Sequence, residues 1–389
     1  MALEKDLSLF EARPEELNPY EEVFLLENPF PGSGEPESDV CTDQDAIKKK
    51  FVYTLQNFSS TSKRLRINGR TGAGKTNILQ YFERLTNEAR RSKLIKNVHP
   101  IYVSAPGESY FSIHGQIIDK LAGSFLSDLV SKLRVNQNLI NELSQTIRTA
   151  SEFLKVIKVI AQPTQMSLSG WEERQKDAFL RWLKGQQRLT AADKKLLTDA
   201  GDTPVDITSS SLAMRFLYGF LEILKELNMC NGIILLFDEF EEIFEGLTRS
   251  HQARYAQDLR HFFDVLNESV FFVIATTPEP RDLSQYPAIE RRLGEPVELQ
   301  PIDSLELATT YVLDYLNSGR NKYEIYLKEH EKQNELDRPR KLEPLTKDDV
   351  KNEYDALKEE LEKSELAVLP GYFLPRMRER MRQIVESGD

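Results

Sequence analysis

Residues 64–76, RLRINGRTGAGKT, leave a chain fewer options than any other stretch. An alternating apolar segment, Leu65 to Asn68, runs into a glycine-rich turn. Beyond it Ile78, Leu79, Tyr81, Phe82 and Leu85 recur at helical spacing. Strand, glycine turn and helix in that order is the setting a phosphate loop requires, and Gly69, Gly74, Lys75 and Thr76 complete the pattern G-x-x-x-x-G-K-[ST]. Main-chain N–H groups of residues 70–76 wrap an anion only where side chains stay clear, which accounts for glycine at 69, 72 and 74. The helix that starts there adds about half a positive charge at its first turn. Gly69, Arg70, Thr71, Gly72, Ala73, Gly74, Lys75, Thr76 and Asn77 are therefore the expected nucleotide-binding residues. Lys75 would reach the β- and γ-phosphates, and the Thr76 hydroxyl would ligate Mg²⁺.

The second constraining stretch is GIILLFDEFEE, residues 232–242. Ile233 to Leu236 run unbroken into Phe237. A continuous apolar strand implies burial on both faces, as in a parallel sheet. Acidic residues at its carboxyl end lie where ligands bind in open α/β sheets. Asp238 fits the carboxylate that holds the water shell of Mg²⁺, and Glu239 fits the base that orients an attacking water. Glu241, Glu242 and Glu245 read as a solvated helix face. Residues 269–275, SVFFVIA, form another buried strand ending in Thr276-Thr277-Pro278, where one hydroxyl would contact the γ-phosphate or the water. The competing reading is a capping hydroxyl. A short helix ending in Arg291-Arg292 and a last strand near 296–299 follow.

Around these lie residues 43–58 as a helix, residues 98–104 as a second strand, and helical segments at 111–135, 137–160, 171–186, 207–229 and 249–267. Past residue 303 no strand pattern remains, only four helical stretches, 304–318, 321–333, 346–364 and 374–387, with Thr346 and Asp349 spaced as an N-terminal cap and a loop over 320–345. The expected fold is α/β: a parallel-sheet phosphate-loop domain over 41–302 with a long helical insert at about 107–229, and an all-helical domain over 303–389. At 389 residues two packed units are the prior.

Net charge is −11, and its location matters more than its size. Residues 1–45 hold 13 acidic and 2 basic side chains, so the rest of the chain balances at 49 each. Residues 1–40 therefore read as an acidic extended arm whose one strongly apolar piece, Phe24 to Phe30, docks on the body; the competing reading is a plain tether. An acidic arm on a balanced body is not a general nucleic-acid binder. No apolar run approaches a membrane span, the N-terminus lacks a signal peptide's regions, and Cys41 and Cys230 form no metal or disulfide framework, so a reducing cytoplasm is expected.

Loop, acidic strand end, polar strand end, paired arginines and terminal helices, in this order, resemble an AAA+ ATPase. GRTGAGKT is similar to its Walker A, IILLFDE to its Walker B, VIATTP to its sensor-1 strand, AIERRL to its arginine-finger segment and GYFLPRMRERM to its sensor-2 helix. The likeness covers about residues 40–389. The sensor-2 segment departs from the compact G-x-P-R form by extra residues. Order and lid look most like the origin-recognition branch, with origin initiators, transposition regulators and the secretion ATPase ExeA. FLRWLKGQQRLTAADKKLL, then a helix, then NMCNGIILLFDEFE, resembles the ATP-binding proteins of BREX-type phage-defence systems.

The resemblance implies ATP and Mg²⁺ as ligands and ATP hydrolysis as the reaction, with a helical lid at the C-terminus. Arg376 would couple that lid to the phosphates. Arg292, with Arg291 as runner-up, would reach a neighbouring subunit's γ-phosphate, which implies a homo-oligomer; the competing readings are an ion pair within the subunit and, for Arg376, a plain helix charge. Lys75 to Asp238 spans 163 positions, and the helical insert that lengthens it is the expected seat of partner specificity. The chain ends at Asp389 without the winged helix usual in origin-type proteins, so DNA is expected to be met through the oligomer or a partner effector such as a nuclease or transposase. Two functions compete: an ATP-hydrolysing oligomeric switch on DNA in phage defence or mobile-element control, and an ATP-gated scaffold that recruits an effector with slow hydrolysis.

Overall fold

A computed structural model describes residues 18–36, 39–58, 63–104, 106–136, 138–147, 151–161, 171–185, 188–198, 204–244, 246–278, 285–330 and 344–387. Contacts divide the chain into two units. One comprises Asp45–Arg70 and Ile78–Leu299; the other comprises the described residues of Met1–Gln44 with Thr71–Asn77 and Gln300–Asp389.

The first unit is built on a five-stranded, wholly parallel sheet. Its strands are β1 (Arg64–Asn68), β2 (Val98–Val103), β3 (Gly232–Phe237), β4 (Val270–Thr276) and β5 (Pro296–Glu298), in spatial order β2-β3-β4-β1-β5. Every residue of β3 and β4 is buried, as their unbroken apolar runs require. Alternate residues of β4 face opposite layers. Phe271 packs on Phe51 of α1 (Asp45–Gln56), which stacks at 3.8 Å on Phe82 of α2 (Lys75–Arg91). Phe272 meets Phe262 and Phe263, on the opposite side of the strand.

That opposite layer holds α3 (Tyr110–Val135), α4 (Asn138–Thr146), α5 (Ser151–Ala161), α6 (Trp171–Lys184), α7 (Ala191–Leu196), α8 (Ser210–Glu226) and α9 (Arg249–Val265). In α3, Ile113, Ile117, Ile118, Leu121, Leu129 and Leu133 are fully buried, an apolar stripe wide enough to pack on strand β2 and on α5, α6 and α8 at once. The helical insert thus shares one continuous apolar core with the sheet. The expected segment 137–160 is two helices, α4 and α5, with residues 148–150 outside the described residues. Trp182 at the centre of the insert meets the Phe216 ring at 4.9 Å and donates its indole N–H to the Val205 carbonyl.

Two histidines, one in this layer and one on β2 facing it, are held neutral. His114 is wholly buried, and its Nε2–H donates to the Leu183 carbonyl at 2.8 Å; burial pushes its pKa down to about 4. His99 accepts from Arg90 on Nδ1 and faces the Ser124 hydroxyl with Nε2; burial first, then the Arg90 charge, lowers it likewise to about 4. An unfolded histidine takes up its proton near pH 6.5. The unfolded chain therefore binds protons first as pH falls, and stability present above pH 6.5 drains away toward pH 4. For His114 the loss between pH 7 and pH 5 is expected to be about 2 kcal/mol. Denaturant titrations at both pH values, in wild type and His114→Gln, read it: the variant should lose less. An equal loss in both would take His114 out of the pH response.

The second unit is helical. Its long elements are α11 (Leu305–Glu329), α12 (Lys347–Glu362) and α13 (Pro370–Ser387), numbered after α10 (Pro287–Leu293) of the first unit. Among the described residues three helices stand where four stretches were expected, because α11 runs straight through Ser318 and Gly319. Gly319 is no break. A Cβ there would lie 2.7 Å from Leu25 Cδ2 and 3.0 Å from Pro29, so glycine serves close approach of the N-terminal segment. Leu25 and Phe30 are buried in the core of these helices. The Arg378 guanidinium donates to the Phe30 carbonyl, and the Arg378 carbonyl accepts from Asn28. Residues 1–17 and 37–38 of the acidic arm lie outside the described residues, as do Glu245 and residues 331–343 of the loop expected over 320–345. The Thr346–Asp349 cap forms as a reciprocal capping box, and Arg380 closes on the same Asp349 carboxylate at 2.6 Å.

Candidate functional site

Because the strands are parallel and Asn68 registers with Thr276 while Phe237 registers with Ile274, the carboxyl ends of β1, β3 and β4 lie at one edge of the sheet. The chain leaves β1 at that edge into the glycine turn. The Gly69 N–H donates to the Thr276 carbonyl, which carries the β1–β4 ladder one residue further. Gly72 and Gly74 then take φ of +83° and +92°, conformations that cost any residue with a Cβ about 1 kcal/mol or more. At Gly74 a Cβ would meet nothing within 4 Å, so the demand there is conformational. Ala73 is buried, whereas Arg70 and Thr71 are exposed. Lys75 and Thr76 open α2, whose first turn holds no acidic residue, and the Asn77 side chain donates to the Val40 carbonyl at 2.7 Å. A turn of left-handed glycines with open space beside Gly74, followed by a helix start whose first turn carries no acidic residue and a hydroxyl, fits a triphosphate and a hard cation.

At the end of β3, Asp238 is buried and satisfied on both oxygens. The Tyr102 hydroxyl donates to Oδ2 at 2.6 Å, and the Glu239 N–H donates to Oδ1 at 3.0 Å. Burial raises the Tyr102 pKa, and the bond to Asp238 raises it further, so Tyr102 remains a donor. Glu239 is exposed and has φ +49°. Its flanks explain why: Phe237 and Phe240 are both fully buried, with rings 5.5 Å apart, so the chain must reverse at Glu239 to enter the 3₁₀ turn Phe240–Phe244. A non-glycine residue held in that region stores about 1–3 kcal/mol, a pattern concentrated at functional sites. Glu241 is half-buried and Glu242 exposed.

At the end of β4, Thr276 is completely enclosed. Its hydroxyl donates to Asn68 Oδ1 at 3.0 Å and accepts from Arg66 Nε at 3.2 Å, and Asn68 passes the chain of bonds on to Glu298 of β5. Thr277 is half-buried and stands one residue further along the edge. In α10, Arg292 makes a two-pronged pair with Asp264, 2.7 and 2.8 Å, and a third bond to the Ala288 carbonyl. That hydrogen bonding lowers the Asp264 pKa and raises that of Arg292. Arg291 is exposed, with its Nε on the Pro287 carbonyl.

Arg376, in the helical unit, pairs with Glu360, and Arg378, Arg380 and Arg382 pair with Glu35, Asp349 and Glu379. Grouped with these helices, the glycine turn makes two contacts that the sequence reading missed: the Gly371 N–H donates to the Gly72 carbonyl at 2.8 Å, and the Tyr372 ring lies against Gly72. Tyr102, Asn68 and Arg66 were likewise missed. Strand parity is the one signal that bears on them, and it gives a side chain's face but not its partner.

Comparison with curated proteins and with solved structures returns no match. Among protein families, the profile described as BREX system ATP-binding protein BrxC/D matches residues 111–307, just over half of the chain. The match includes the acidic end of β3, the threonines at the end of β4 and the arginines of α10; the glycine turn and Arg376 lie outside it. With half the sequence matched, over the segment that carries the insert and the carboxylates, the chain belongs to the BREX system ATP-binding protein BrxC/D family.

Proposed function

We propose that this protein is an AAA+-type ATPase of BREX phage defence, a nucleotide-driven switch that assembles with itself and regulates a partner on DNA. The observation that carries the reading is the end of β3: a buried, doubly held Asp238 followed by Glu239, exposed in a left-handed conformation. A fixed carboxylate suits the water shell of Mg²⁺, and an outward carboxylate suits a water-activating base. Residues 69–77 hold the triphosphate, with Lys75 on its outer phosphates and Thr76 on the metal. The saturated hydroxyl of Thr276 favours Thr277 as the group that meets the γ-phosphate or the water. The same logic favours Arg291 over Arg292 as the residue offered to a neighbouring subunit. The C-terminal helices act as the lid.

The engaged state of Arg292 and Arg376 favours a second reading, an ATP-gated scaffold whose hydrolysis is slow. One experiment separates the two. Mass and phosphate release are measured with and without Mg-ATP and double-stranded DNA, in wild type and Arg291→Ala. The switch predicts ATP-dependent assembly, turnover stimulated by DNA, and a fall of about 10³-fold in Arg291→Ala. A flat, low rate with no change of mass selects the scaffold.

A further inference from the structure

Gly72 and Gly371 lie 299 positions apart, yet their main chains touch. A Cβ built on Gly371 would sit 2.7 Å from Gly72 Cα and 2.8 Å from Gly72 O. Both atoms belong to backbone, so no flexible side chain can give way. The Gly371 N–H donates to the Gly72 carbonyl at 2.8 Å, and the Tyr372 ring, 38% exposed, lies 3.6 Å from where a Gly72 Cβ would stand. The peptide unit joining Gly72 to Ala73 is planar and trans, so its C=O and its N–H point in opposite directions. Whatever fixes the Gly72 carbonyl also fixes the Ala73 N–H. Gly72, at φ +83°, has the freedom to flip that unit, so an outside constraint matters here.

We propose that Gly371 is a positioning residue for nucleotide: by holding the Gly72 carbonyl, the start of α13 turns the Ala73 N–H away from the helix and presets it as a phosphate donor, with Tyr372 reporting the state of the loop. This rests on the reading of residues 69–77 as the triphosphate cradle. It adds that the C-terminal helix acts on the cradle through main chain, where the sequence points to the charge of Arg376. A donor set in place before the ligand arrives spares the loop its ordering cost on binding.

Calorimetry with Mg-ATP and Mg-ADP on the full chain, in wild type, Gly371→Ala and Arg382→Ala, which removes a charge from the same helix, tests it, with melting curves and amide exchange at residue 371 alongside. Gly371→Ala should weaken both nucleotides at least tenfold in a protein that still melts cooperatively and speed exchange of the residue-371 amide; Arg382→Ala should do neither. Wild-type affinity in a folded Gly371→Ala overturns the proposal and leaves the ATPase reading standing, whereas no binding by wild type removes that reading itself. Should Gly371→Ala not fold, Tyr372→Trp takes its place. Its fluorescence should change with Mg-ATP along the calorimetric binding curve, and a constant signal at saturating nucleotide overturns the proposal.

Discussion

Glu239→Gln is expected to lower ATP turnover by about 10²–10⁴-fold while leaving Mg-ATP bound. Glutamine keeps the length and shape of the side chain and removes only its basicity. Glu239 is exposed, and the reversal at φ +49° is imposed by the buried Phe237 and Phe240, so the substitution leaves the turn intact. Phosphate release at saturating ATP, set beside a calorimetric titration, reads both halves of the prediction. The protein should then accumulate in its ATP-bound form and in whatever assembly that form favours. A turnover number equal to wild type would take Glu239 out of the chemistry and leave Asp238 without its proposed neighbour in function.

Lys75→Ala is expected to weaken Mg-ATP by about 10–100-fold and to bring hydrolysis below detection. A hydrogen bond from a charged donor contributes about 1.5–3 kcal/mol, which sets the affinity range. Alanine is the strongest helix former, so the first turn of α2 persists, and the left-handed glycines at 72 and 74 need no lysine to keep their conformation. Titration calorimetry on the variant gives the answer directly. Undiminished affinity would mean that the turn holds something other than a triphosphate.

The strand, turn and helix of residues 64–91 were legible because each part is a local demand. Positive φ calls for glycine, and helical spacing shows in Ile78, Leu79 and Phe82, all buried on α2. The runs Ile233–Phe237 and Val270–Ala275 were legible for a related reason: a strand buried on both faces needs no partner to be named before it reads as apolar throughout. Arginine partners were not legible. Arg292 meets an aspartate 28 positions away and Arg376 a glutamate 16 positions away, and nothing in the segments AIERRL or GYFLPR encodes those meetings. Ser318-Gly319 reads as a helix end, yet the helix continues through it, and residue 319 is glycine because Leu25 and Pro29 occupy the space a side chain would fill.

By itself the sequence determined where the glycine turn and the acidic strand end lie along the chain, since backbone conformation and unbroken apolarity are properties of consecutive residues. Only the tertiary structure decided which hydroxyls, guanidinium groups and peptide units were already committed. Thr276 is closed in by Asn68 and Arg66, Asp238 is held by Tyr102, and Gly72 is held by Gly371. Those commitments join residues far apart in sequence, and a hydrogen bond is fixed by positions in space that no local pattern of residues records.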